Sequence, residues 1–191
     1  MKKYLFLAIV AIASASLVLT GCKRDKSADQ SDPNAPTAYE LSMTNQDTMQ
    51  VVHLVDAFFD SLEKGELTDA VAMLYADNSV DHFEEPQPLD NDQISRMMSL
   101  VRALPIQSHR IDYIKFHETY QNEVKVTAII EPATEDRPEV STVFYFRPFD
   151  YLGNWRLCLM DSYNGNQRII NNDQADSLEQ KFDQDIEQKA K

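Results

Sequence analysis

The hydrophobic period of the chain changes near residue 105, and that change restricts the fold more than any other feature. Before it, Val51, Val52, Leu54, Val55, Phe58, Phe59 and Leu62 form a broad stripe at helical spacing. Thr44 with Asp47 three residues on has a capping pattern, and Gly65 suits the left-handed position that ends a helix. Thr68 can cap a second, shorter helix running through Tyr75, with Val71, Leu74 and Tyr75 on one side. Asp90 or Asn91 can cap a third, with Ile94, Met97, Met98 and Val101 inward, and Pro105 stops it. Beyond it the period is two, which predicts strands over 107–117, 121–131, 139–148 and 154–162. Val124, Val126, Ala128 and Ile130 share one face, and Trp155, Leu157 and Leu159 share another. The connections are short, so the strands form an antiparallel meander. The expected architecture is α+β: three N-terminal helices packed on a curved antiparallel sheet of four to five strands, occupying residues 45–170. Residues 171–191 read as a charged C-terminal helix or tail whose stripe of Leu178, Phe182 and Ile186 is too narrow to bury much.

The strand over 143–147 is apolar on both faces, with Val143 and Tyr145 set against Phe144 and Phe146. An antiparallel sheet with one wet face alternates. Either the outer face is covered, by the C-terminal helix for example, or it joins a partner protein or a second copy.

Charge excludes one large class of partner. The chain has 191 residues with 31 acidic and 18 basic side chains, a net charge of −13. There is no basic surplus to neutralise phosphates, so no nucleic-acid partner is expected. The 4 glycines leave little room for Gly-rich phosphate loops, and the 2 cysteines cannot build a disulfide framework.

The first residues form a separate unit. Lys2 and Lys3 precede an uncharged, apolar or small-residue run from Tyr4 to Leu19. As a helix it would span about 24 Å, short for a bilayer crossing. Residues 1–21 therefore read as a secretory signal peptide. Leu19-Thr20-Gly21-Cys22 resembles the bacterial lipobox. That resemblance implies cleavage before Cys22, a diacylglycerol on its thiol and an acyl chain on the new amino group. Three acyl chains would hold the protein firmly, since each buried methylene contributes roughly 0.8 kcal/mol. The alternatives are an ordinary signal peptide with an incidental Cys, or an uncleaved anchor. Cleavage would remove Lys2 and Lys3 but no acid, leaving a mature charge of about −15. Residues 22–44, with Pro33 and Pro36 and no apolar period, read as the lipidated Cys and a flexible tether. Cys158 is then the remaining thiol, and a buried strand position is its simplest reading.

The stretches Val51–Tyr75 (VVHLVDAFFDSLEKGELTDAVAMLY) and Gly153–Tyr163 (GNWRLCLMDSY) carry a family resemblance. The chain resembles the nuclear-transport-factor-2-like, SnoaL-like (cystatin-like) α+β roll. More closely, it looks like the small lipoproteins of Bacteroidetes-type bacteria with such a domain. It departs from the pattern at its early hairpin, where Ser79 to Phe83 is short and a proline-broken loop follows. The resemblance implies a cone-shaped pocket between sheet and helices. Enzymes on this fold place an Asp, or an Asp–His pair, in that cone, where burial raises the carboxylate pKa. The fold itself does not fix a function.

Residues that could carry chemistry are sparse. Asp161 has the parity of Trp155, Leu157 and Leu159, so it either follows that row inward or meets water at the rim. Phe58, Tyr113 and Trp155 are the aromatic candidates for a ligand pocket, with plain core as the alternative. His82 beside Asp81 points to the opposite face of any strand they share. His109 and His117 share a parity but stand about 26 Å apart along a straight strand. His53 reads as a helix-surface residue. No H-x-x-x-H, H-E-x-x-H or Cys–His cluster occurs, so no metal and no cofactor are expected. The expected function is a lipid-anchored cell-envelope protein, in the cell or outer membrane and facing periplasm or exterior. It would meet membrane lipid through acylated Cys22 and bind a ligand or an envelope protein without catalysis. The alternatives are a SnoaL-like isomerase or hydrolase using Asp161, and a structural subunit of an envelope complex.

Overall fold

A computed structural model describes residues 35–76, 84–118, 121–160, 170 and 172–189. Ten elements follow in order. They are α1 (Ala38–Ser42), α2 (Asn45–Glu63), α3 (Leu67–Ala72), β1 (Leu74–Tyr75), α4 (Asn91–Ala103), β2 (Ser108–Lys115), β3 (Glu123–Glu131), β4 (Val140–Tyr151), β5 (Asn154–Leu159) and α5 (Asn172–Lys189). The class is α+β, with a five-stranded mixed sheet in the order β1-β5-β4-β3-β2.

The ends of α2 are where its sequence places them. Thr44 and Asp47 close a full capping box, the Thr44 N–H donating to Asp47 Oδ2 at 2.8 Å and the Asp47 N–H to Thr44 Oγ1 at 3.3 Å. Gly65, at φ 77°, ends the helix. Its N–H donates to the Leu62 carbonyl and that of Glu66 to the Ser61 carbonyl, the two bonds of a Schellman motif. Asp90 and Gln93 cap α4 by the same reciprocal pattern.

Two short elements differ from the reading of the sequence. Ala38–Ser42, inside the segment read as tether, is a helix capped by Thr37. It is tied to the end of β2 by the Thr37 hydroxyl, which donates to the His117 carbonyl at 2.7 Å, and by a Lys115–Glu40 ion pair. Among the described residues, four helices precede the meander, where three were expected. The second predicted helix is also shorter than expected. Its N-cap is Glu66 rather than Thr68, and it stops at Ala72. Leu74 and Tyr75 then pair in parallel with Leu157 and Cys158. Helical spacing of Val71, Leu74 and Tyr75 is local, but the partner that claims Leu74 lies more than eighty residues away. Tyr75 also bridges Pro88, so the two sides of segment 77–83 meet. The early hairpin expected over 79–83 lies outside the described residues.

The four later strands form the expected meander. One face of the sheet carries the main core. Val124, Val126 and Ala128 of β3, Phe144 and Phe146 of β4 and Leu157 of β5 pack against Val55, Phe58, Phe59 and Leu62 of α2, with α3 and α4 completing the layer. Phe59 meets Phe58, Phe144 and Phe146 edge-on, with ring centroids 5.0, 5.5 and 6.2 Å away. Cys158 is buried on β5, as expected of a strand position.

Beneath α5 the other face is polar as well as apolar. Tyr113, Ile170 and Ala175 are buried there with Leu178 and Phe182 against them, so the C-terminal helix covers β2. Val140 and Val143 of β4 stay exposed on that face, while Arg147 of β4 and its β5 partner Cys158 are buried.

The β4–β5 turn contains the chain's one described non-glycine residue with positive φ. Leu152 (φ 52°) and Gly153 (φ 79°) are its two central residues, as a type I′ hairpin turn requires. Leucine has no local hydrogen bond to offset that conformation, and its side chain lies in solvent. Leu152→Asn should therefore raise stability by about 0.5–1 kcal/mol in urea unfolding of the full chain, while Phe58→Ala should lower it by about 3–5 kcal/mol.

Candidate functional site

The most organised group of titratable side chains lies where α2 crosses β2. His109 pairs with Ala128 in the sheet, and Ala128 belongs to the main core, so the imidazole faces α2. Its ring lies on Phe59, centroids 4.9 Å apart and planes 17° apart. Each ring nitrogen meets a carboxylate of α2: Nδ1 lies 2.8 Å from Glu63 Oε1, and Nε2 lies 3.1 Å from Asp56 Oδ1. Asp60 stands between those two acids on the helix. Asp60, Glu63 and His109 each bring one potential ligand atom, and the three atoms lie within 4.8 Å of one another. The helical period explains the set, because positions 56, 60 and 63 are successive neighbours along one edge of α2.

A groove of about 400 Å³ opens beside this group. Val52 and Asp56 form one wall, His109, Arg110 and Ile111 the floor, and Phe182, Asp183, Ile186 and Glu187 of α5 the other wall. A second groove, of about 390 Å³, adjoins it between α1, the start of α2 and α5, the two sharing Phe182 and Ile186. Both are within the size range of small-ligand sites.

The aromatic candidates do not converge. Phe58 is wholly buried in the main core, 5.4 Å from Phe146. Trp155 belongs to a separate cluster with Val51 and Phe116, and its edge borders a third groove with His53 and Leu54. Tyr113 lies on the far side of the sheet under α5. The cause is a β-bulge: the register slips between Ile111 and Tyr113, and Asp112 is the extra residue. Ile111 pairs with Val126 on the core face, whereas Tyr113 pairs with Lys125 on the other. Simple alternation put Tyr113 and Ile111 together, and one inserted residue separates them. Trp155 and Leu157 are buried as their parity predicts, but Asp161, the residue expected to extend their row, lies outside the described residues. So do Cys22, Asp81 and His82.

The bulge also builds the polar layer that holds α5. Asp112 accepts a 2.6 Å bond from the Thr127 hydroxyl and a 3.2 Å bond from Arg110 Nε. Lys125 lies 3.4 Å from Asp112 and makes an ion pair with Glu179 of α5. The Tyr113 hydroxyl donates to the buried Glu123 carboxylate. Burial works against the charge on Lys125, but Glu179 and Asp112 outweigh it and raise its pKa above 10.5. Its contribution is therefore complete below the ordinary lysine value and is lost only as the pH rises through the higher folded value.

The chain matches no family model, no curated protein and no solved structure. Among the described residues, no helix is long and apolar enough to cross a membrane.

Since α5 forms a wall of two of the three grooves, its attachment can be tested directly. Lys125→Gln should speed hydrogen exchange of the α5 amides about tenfold at pH 7, the weight of one charge-assisted contact of roughly 1.5 kcal/mol. Exchange in α2 should stay unchanged.

Proposed function

We propose that the protein is a lipid-anchored cell-envelope protein whose α+β domain binds a small ligand or a protein segment without catalysing a reaction. The observation that carries the anchor is the tetrapeptide Leu19-Thr20-Gly21-Cys22 after a charged start and an apolar run. An entry point for the tether supports it. The cap of α1 at Thr37 is bonded to the end of β2, and a tether running from Cys22 would enter the folded body there.

Binding, rather than chemistry, is supported by how the polar groups are used. The ionisable side chains on the far sheet face are committed to one another and to α5. Phe58 and Tyr113 are packed solid rather than lining a cavity. The open surfaces are the grooves beside α5, which combine apolar residues with a few charges. Helices layered on a meander support the resemblance to the nuclear-transport-factor-2-like roll, a fold that hosts many binding modules.

The anchor has a direct test. Expression of the full chain in a bacterial host fed labelled palmitate should yield labelled protein in the membrane fraction. Cys22→Ser should lose the label. Label retained in Cys22→Ser, or none in the parent chain, would refute the anchor.

A further inference from the structure

We propose that the crossing of α2 and β2 is a divalent-cation site of the zinc class, with His109 Nδ1, Glu63 and Asp60 as ligands and Asp56 as the residue that positions the ring. A neutral imidazole has one N–H and one lone pair. An ionised carboxylate has only lone pairs. With Glu63 at 2.8 Å from Nδ1 and Asp56 at 3.1 Å from Nε2, one ring proton serves only one of the two contacts, and the other is served by a second cation, a proton or a metal ion.

The helix supplies an independent reason. Asp60 and Glu63 occupy the last turn of α2, which contains no basic residue. That end of a helix carries the negative pole of the macrodipole and disfavours carboxylates. Asp56 and Asp60, four residues apart, add like-charge repulsion. Each local rule is broken in the same direction, and one bound cation answers all of them. The nearest competitor is Lys64, whose Nζ lies 3.8 Å from Asp60 with both side chains more than half exposed. An exposed pair of that kind is weak and easily displaced.

The geometry suits a metal ion as well as the charge does. Stacking on Phe59 holds the ring, and in the metal-bound form an Nε2–H bond to Asp56 would leave Nδ1 free to bind. A carboxylate behind a ligating histidine is the usual orienting partner. His109 is 13 % exposed while Asp60 is 53 % exposed, so one side of the site is fixed and the other admits ions from solvent. Around an ion bound at roughly 2.0–2.2 Å the ligand atoms stand about 3–4 Å apart, so the 2.8 Å Nδ1–Glu63 contact must open slightly while the wider separations, up to 4.8 Å, close. The two acidic side chains can make that adjustment by rotation. One nitrogen and two carboxylate oxygens suit zinc better than calcium or magnesium, which favour all-oxygen shells. The ion would complete a wall of the groove bordered by Asp56 and His109 and would keep open positions for a ligand atom.

The test uses the full chain in detergent micelles, stripped with a chelator and titrated with Zn²⁺ by calorimetry. One ion per chain is expected. Glu63→Gln and Asp56→Asn should each weaken binding by about tenfold or more, His109→Gln by about a hundredfold, and Lys64→Gln should strengthen it a few-fold. His53→Gln and His117→Gln should leave affinity unchanged. Nitrogen NMR should show Zn²⁺ moving the His109 Nδ1 resonance while Nε2 keeps its proton. If His109→Gln loses its fold by circular dichroism, the decision rests on Glu63→Gln, whose exposed position leaves the core intact. Affinity unaffected by Glu63→Gln would overturn the proposal. So would a His109 ring that holds protons on both nitrogens and ignores added Zn²⁺, since the bound cation would then be a proton.

Discussion

Phe59 is the contact on which the rest of the arrangement depends. Its ring touches Phe58 on its own helix, Phe144 and Phe146 on β4, and His109 on β2. Complete burial of such a side chain contributes about 1.5–3 kcal/mol, and its neighbours in the aromatic cluster are buried with it. The more specific consequence is orientation. Once Phe59 and Phe58 are seated on the sheet, helical geometry leaves no choice about position 56, 60 or 63. These acids must run along the edge of α2 that overhangs β2. The apolar core thus sets the charge cluster, and His109 is the strand residue beneath it.

A second constraint acts through β2. A strand with perfect alternation would place Tyr113 beside Ile111 in the main core. The extra residue at Asp112 reverses the strand after it, so that Ile111 and Ile114 both serve the helix side. Tyr113, Lys125 and Thr127 then collect on the far side with Asp112. That side carries too many charges to be a core and too much apolar surface to stand in water. A helix with a narrow stripe and acids beside it answers both needs. Ala175, Leu178 and Phe182 cover the apolar part, and Glu179 meets Lys125.

Local signals account for what was legible in the sequence. The capping boxes at Thr44 and Asp90, the Gly65 stop and the order of the four later strands all follow from residues a few positions apart. What escaped reading depends on distant partners. Leu74 and Tyr75 carry helical spacing but are drawn into the sheet by β5. The α1 helix exists against the end of β2, which no pattern in its five residues announces. The bulge at Asp112 has no glycine or proline to mark it. The histidine–carboxylate group joins residues 46 and 53 positions apart, so a search for ligand spacing along the chain passes over it. One signal was present all the same: two acids in a helical turn where the macrodipole favours bases.

The stability of the domain is uneven in a way that bears on binding. On one side of β2, α2 is held by a dry aromatic core. On the other, α5 rests on a few apolar contacts and one half-buried lysine, and Ile186 remains partly exposed at its far end. Segments with little apolar burial open at lower free energy than the core. The two grooves beside α5 share this arrangement, with a rigid wall from α2 and a lighter one from α5. A ligand entering either groove can therefore be met by movement of α5 without disturbing Phe59 or the strands beneath it. The same division leaves the acids of α2 fixed in place while the surface opposite them adjusts, which is what a binding site needs if its recognition group is to stay constant.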